Sequence, residues 1–309
     1  MSLSPPFSRA GIAALTIAAS VALAPRLGAQ SRGQSVLARR YREGDSLHYV
    51  MDASNQRRAD VLTYSARADG VVRKDSLGRF IEDFEWSRLV LNGRDVPLAS
   101  GTAKVRQRLT LAPEFMLPPD VAHADPRLIG PVLDLLTFYV DLWLSAKQPL
   151  THAGDHARVP RGTPNSWADG RVVTLGEDAI DFDITLVSLD STSGRAHLRV
   201  RHVPPATAVV RFPASWMEAP LFDTPNNWVE ITKTSDTTYV GGVGRETFDD
   251  EIEVRLSDGA IVAATMDNPV DLEERVCRDA ALKVCAASHR YRILRRITVR
   301  AVGDADRRD

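Results

Sequence analysis

Residues 125–147 read DPRLIGPVLDLLTFYVDLWLSAK, the one long helical stretch in a chain that otherwise alternates like β-strand. Asp125 has the chemistry of an N-cap and Pro126 that of a first helical residue, since proline lacks the N–H that this position leaves unpaired. The spacing predicts a helix over 126–146, with Gly130 and Pro131 loosening its first turn. Leu128, Ile129, Val132, Leu133, Leu135, Leu136, Phe138, Tyr139, Val140, Leu142, Trp143 and Leu144 leave it almost no polar face, so it belongs in a core or in a membrane. An apolar run of about 17 residues is at the short limit for a bilayer, and Asp134 and Asp141 would each cost roughly 2.5–3.5 kcal/mol in lipid. A buried helix follows, with the two aspartates, seven residues apart, marking one wet or hydrogen-bonded edge.

Outward from this helix the pattern is β. Strands are expected at 46–52, 60–72 and 80–91, with Asn92-Gly93 turning the last back through 94–98. Ala103, Val105, Leu109 and Leu111 alternate with Lys104, Arg106, Arg108 and Thr110. A proline-rich loop, 112–124, leads into the helix and an irregular stretch, 148–170, leads out. Ile180, Phe182, Ile184 and Leu186 then pair with Ala196, Leu198 and Val200, presenting one apolar face and opposing acids to arginines on the other. Asp258-Gly259 is a two-residue turn between strands 248–256 and 260–267, and 291–302 is the last strand. The pattern describes an α+β, β-dominated fold: a curved antiparallel sheet, a half-barrel or two fused β units, around one buried helix.

The ends of the chain are organised differently. Arg9, the small and apolar run 10–24 and Leu27-Gly28-Ala29 have the three regions of a secretory signal peptide, cleaved near Ala29. Removing residues 1–29, with Arg9 and Arg26, takes the formal net charge from -1 to -3. A linker over 30–42, a single domain over 43–302 and a disordered tail over 303–309 complete the organisation. The near-neutral balance excludes nucleic acid as a partner, since that needs a basic stripe. In an oxidising compartment Cys277 and Cys285 are expected to form a disulfide, worth roughly 2.5 kcal/mol by loop entropy. The address is periplasmic or secreted, with no membrane span in the mature chain.

Several short motifs invite functional readings. Gly44-Asp45-Ser46-Leu47 spells a hydrolase tetrapeptide, and Asp120-Val121-Ala122-His123 supplies a D-x-x-H. That chemistry needs its serine on a strand-to-helix turn, whereas the residues after Ser46 read as strand. His152, Asp155 and His156 form a compact polar cluster that could ligate zinc. The acid runs Glu177-Asp178 and Asp249-Asp250-Glu251 read as solvated strand faces rather than calcium sites. Thr163-Pro164-Asn165-Ser166-Trp167 recurs as Thr224-Pro225-Asn226-Asn227-Trp228, placing a tryptophan after each turn-forming Pro-Asn.

Gly44-Asp45-Ser46-Leu47-His48-Tyr49 and Met266-Asp267-Asn268-Pro269-Val270 resemble segments of secreted bacterial β-rich proteins. The resemblance implies an extracytoplasmic β fold and no activity. By architecture the chain is similar to carriers of the LolA and LppX type, which use several helices where this chain has one; such an analogy concerns fold alone. The leading expectation is an extracytoplasmic binding or carrier protein for an apolar small molecule or lipid, without a cofactor. Leu135, Phe138, Tyr139, Leu142 and Trp143 would line the cavity, with Trp167 and Trp228 at its rim. The alternatives are a hydrolase using His152, Asp155 and His156, and a structural envelope module that binds a protein partner.

Overall fold

The computed structural model describes residues 35–98, 106–112, 114, 127–168, 173–205, 210–221 and 224–303, with backbone alone for 161–168 and 173–178. The expected signal peptide, the tail beyond Gly303, and the Asp125-Pro126 and Asp120–His123 motifs lie outside the described residues. The strands are β1 (Ser46–Arg57), β2 (Asp60–Lys74), β3 (Phe80–Leu91), β4 (Arg94–Asp95) and β5 (Arg106–Leu109), then helix α1 (Ile129–Ala146). After it come β6 (His156–Ala168), β7 (Val173–Asp190), β8 (Arg195–Val203), β9 (Trp228–Ser235), β10 (Thr238–Glu246), β11 (Phe248–Arg255), β12 (Ile261–Cys277) and β13 (His289–Ala301).

All described strands belong to one antiparallel sheet that curves around α1. Its main path runs β6, β7, β8, β11, β12, β13, β1, β2, β3, with β4 and β5 on the far edge of β3. At its centre β1 pairs with β13, setting Tyr49 opposite Ala301 and Arg57 opposite Ile293. β7 and β12 are long enough to serve two partners in succession. β7 meets β9 over Thr174–Asp178 and β8 over Asp181–Asp190; β12 meets β11 over Ile261–Asp267 and β10 over Val270–Cys277. The β9–β10 hairpin therefore extends the sheet beyond the ends of β8 and β11.

Asn227 stitches the seam between these two levels. Its amide donates to the carbonyls of Ala179 and Glu246 and accepts from the Glu246 N–H at 2.8 Å. The neighbouring Asn226 side chain holds the preceding loop through Met217, Ala219 and Leu221. The second Pro-Asn-Asn-Trp copy is thus a polar lock, whereas the first lies within β6.

Three local expectations are corrected. The segment 148–170 is not irregular throughout, because residues 156–168 form β6. Pro160 and Pro164 resemble loop punctuation, but β6 is paired on one side, where a residue without an N–H is tolerated if its nitrogen faces the free edge. The helix begins at Ile129 rather than 126, so Pro131 falls in the first turn, where its missing N–H costs no helical bond. The Asp258-Gly259 turn is wider than two residues: the Arg255 N–H bonds the Ala260 carbonyl across Leu256–Gly259. The turn at Asn92-Gly93 forms as expected, with φ of 48° and 74°.

The main core joins α1 to the inner face of the sheet through Tyr49, Phe84, Trp86, Phe182, Leu198, Ile252, Met266 and Ile297. Residues 35–41 also pack here, with Leu37 buried and the Ala38 carbonyl resting against Gly259. The outer face carries the charged pairs, including Arg199 with Asp249 and Arg201 with Asp183. A smaller cluster covers β9–β10, formed by Met217, Val229, Val243, Leu282 and the Cys277–Cys285 disulfide.

Candidate binding site between helix and sheet

Because the sheet curves, it covers α1 on more than one side. Every residue from Gly130 to Trp143 is buried, Asp134 and Asp141 included, so of the two expectations for the aspartates it is the hydrogen-bonded one that holds, not the wet one. By length and composition α1 could cross a membrane, but 78% of it is buried inside the fold.

Several polar groups on α1 and around it are matched individually. Asp134 accepts from the Tyr64 hydroxyl at 2.6 Å and from Arg295 at 2.5 Å, and Arg295 also reaches Asn268. Tyr139 donates to Glu82, whose other oxygen takes Arg39 at 2.7 Å. Gln107 links the Trp86 indole to the Val132 carbonyl, and the Trp143 indole donates to the Ala112 carbonyl. Burial opposes the Arg295 charge, but the Asp134 and Glu246 carboxylates outweigh it and raise its pKa. Burial, and then the facing carboxylates Asp134 and Glu82, push the Tyr64 and Tyr139 hydroxyls well above their ordinary range.

Leu135, Phe138, Tyr139, Leu142 and Trp143 come together as the helix side of this core, none more than 8% exposed. Trp228 sits elsewhere, in a separate cluster with Val270, Leu272 and Tyr291. Trp167 lies in the part of β6, residues 161–168, for which the backbone alone is described. His152, Asp155 and His156 lie on the outside, each with a local task. Asp155 accepts from the Thr151 and His152 N–H groups at 2.6 and 2.8 Å, while His156 pairs with Asp183 across the ladder. Ser46 simply opens β1, after the turn at Gly44.

A different histidine and two aspartates converge inside. Asp141 of α1, His202 of β8 and Asp250 of β11 are at most 1% exposed, and a ligand atom from each lies within 4.8 Å of the others. His202 Nε2 is 2.7 Å from Asp141 Oδ1, and its ring lies between Phe182 and Phe248, with centroids 4.4 and 4.6 Å away. Among the described residues this is the only such group of three or more. Burial, then the neighbouring Asp141 carboxyl, pushes the Asp250 pKa well above the usual carboxylate range. The signal for this cluster was strand phase: His202 follows Ala196, Leu198 and Val200 on the inner face, and Asp250 stands between Phe248 and Ile252.

No family model matches the chain, and no curated protein sequence does. Among solved structures it is aligned with MucB in complex with MucA(peri), at 14% identity over 83% of this chain and 89% of that one, with a TM-score of 0.12. A score that low carries no argument about fold or function.

Proposed function

We propose that the protein is an extracytoplasmic binding or carrier protein that holds an apolar ligand against the inner face of the sheet, beside α1. The observation that carries this reading is a helix apolar on almost every side, set in the hollow of an open curved sheet and attached to it by a few discrete polar contacts. Between those contacts the packing is apolar and non-directional, so an apolar molecule of matching volume can replace it. Leu135, Phe138, Tyr139, Leu142 and Trp143 supply the helix wall, and Trp167 is assigned to the rim; Trp228, packed in its own cluster with Val270, Leu272 and Tyr291, is not. Since the wall is buried in the ligand-free fold, entry requires α1 to shift away from the strands. The amino-terminal pattern and the disulfide support an oxidising, extracytoplasmic address. Strand addition by a protein partner is the weaker reading, because Pro160 and Pro164 interrupt the β6 edge such a partner would use.

The test is native mass spectrometry of protein purified from its own envelope without detergent, compared with the denatured mass. A discrete extra mass that vanishes on denaturation, and that solvent extraction recovers as an apolar compound, is the expected result. A bare mass in both states, together with no uptake of a fluorescent fatty acid, overturns the reading.

A further inference from the structure

Between α1 and the sheet, Asp134 pairs with Arg295 and Glu82 with Arg39. A further acid-bearing cluster among the described residues is built from Asp141, His202 and Asp250, and it brings two carboxyl groups together in a dry interior. Apart from the neighbouring Asp141 carboxyl, no described group stands in hydrogen-bonding position to either oxygen of Asp250, although the residue is 0% exposed. Buried carboxylates in contact demand a cation or a proton between them. A single divalent cation would balance two carboxylates and a neutral imidazole.

We propose that Asp141, His202 and Asp250 form a buried binding site for one divalent transition-metal ion of the zinc class. Imidazole nitrogen with carboxylate oxygen is a donor set suited to zinc, whereas calcium takes six or more oxygens and magnesium keeps several waters. Ligands about 2.0–2.2 Å from such an ion stand at most about 4.4 Å apart, close to the spread seen here. One oxygen of Asp141, one nitrogen of His202 and both oxygens of Asp250 give four donors. The 2.7 Å hydrogen bond between His202 and Asp141 is then replaced by two coordinate bonds, which needs those atoms to separate by less than about 1 Å. Phe182 and Phe248 hold the imidazole plane, and β8 and β11 are neighbours with His202 opposite Phe248 and Asp250 opposite Val200. With no water-accessible position, the site is structural: the ion ties the helix to two adjacent strands. This inference does not depend on an apolar ligand.

Because the site is closed, the test loads it during folding. Full-length protein is unfolded with chelator, refolded with cobalt(II) alone as a coloured probe, and dialysed. About one retained equivalent is expected, with the visible absorption of a low-coordinate nitrogen–oxygen site and a higher thermal midpoint than the chelated protein. Asp250→Asn, which keeps shape and removes a ligand charge, should retain cobalt at least about tenfold more weakly. The double substitution His152→Ala with His156→Ala should leave retention unchanged. Less than about a tenth of an equivalent on the wild-type chain overturns the proposal. So does equal retention by a folded Asp250→Asn variant, or loss of retention in the surface double variant. Should Asp250→Asn fail to fold, His202→Gln takes its place, and the wild-type stoichiometry and spectrum decide.

Discussion

The Arg295 guanidinium on β13 stands 2.5 Å from Asp134 Oδ1 on α1, and a second nitrogen lies 2.9 Å from Asn268 on the neighbouring strand. One side chain thereby fixes the helix to two neighbouring strands, β12 and β13. Removing it leaves a buried carboxylate with the Tyr64 hydroxyl as its described donor. Arg295→Met should therefore cost about 3–5 kcal/mol, and adding Asp134→Leu should recover much of that, because both charges then leave together. Urea denaturation of the two single variants and the double gives the coupling. Simple additivity would show that the pair does not act as a unit. By contrast, Arg199→Ala at the exposed pair with Asp249 should cost at most about 1 kcal/mol.

Alkaline stability should fall early. The Tyr64 and Tyr139 hydroxyls are raised in the folded state, first by burial and then by the Asp134 and Glu82 charges. The folded chain thus holds protons that the unfolded chain releases near pH 10. Their contribution is fully present below that pH and is lost progressively above it. The urea midpoint should stay nearly flat from about pH 7 to 9 and drop beyond about 10, less steeply in Tyr64→Phe. A midpoint unchanged at about pH 11 would contradict this.

Two glycines on β10 should respond unequally to the same change. A Cβ on Gly244 would lie 2.1 Å from the Asp271 carbonyl oxygen and 2.8 Å from the Trp228 ring, so neither backbone nor indole has room. One on Gly242 would meet Trp228 at 3.4 Å, an ordinary contact. Gly244→Ala should lose about 1–3 kcal/mol or more, and Gly242→Ala should stay within about 0.5 kcal/mol of the parent. Thermal melts of the pair are sufficient, and equal midpoints would be the adverse result.

The disulfide closes the loop that covers β9–β10, where Leu282 is buried against Met217 and Trp216 donates to the Leu282 carbonyl. Thiol titration of the denatured, unreduced chain should find no free cysteine. Reduction should cost roughly 2.5 kcal/mol in urea denaturation.

Much of the sheet can be read from side-chain phase. β3 appears with the bounds that its alternation gives, and the β7–β8 hairpin opposes Asp183 to Arg201 as the pattern implies. The signals that failed were local ones overruled by tertiary position. Pro160 and Pro164 break a central strand but not an edge strand, and Pro131 breaks a helix interior but not a first turn. The same distinction governs the candidate metal site. His152, Asp155 and His156 attract attention because they are neighbours in sequence, whereas Asp141, His202 and Asp250 are spread over 110 residues. Each of these three interrupts an apolar face, and a polar residue in a buried phase demands a partner. Which residues meet there depends on the folding of β8 and β11 beneath α1, which no spacing within one segment encodes.

The pairing of β1 with β13 has a temporal consequence. The strand that begins at Ser46 finds its neighbour at residues 293–301, so the middle of the sheet is a contact between opposite ends of the chain. Neither amino-terminal β1–β3 nor the later strands form a closed unit until the last strand arrives. Such high contact order makes folding slow and leaves the intermediate with two unpaired inner edges. Loss of residues 289–309, which include the whole of β13, would therefore split the sheet between β12 and β1 rather than trim its margin.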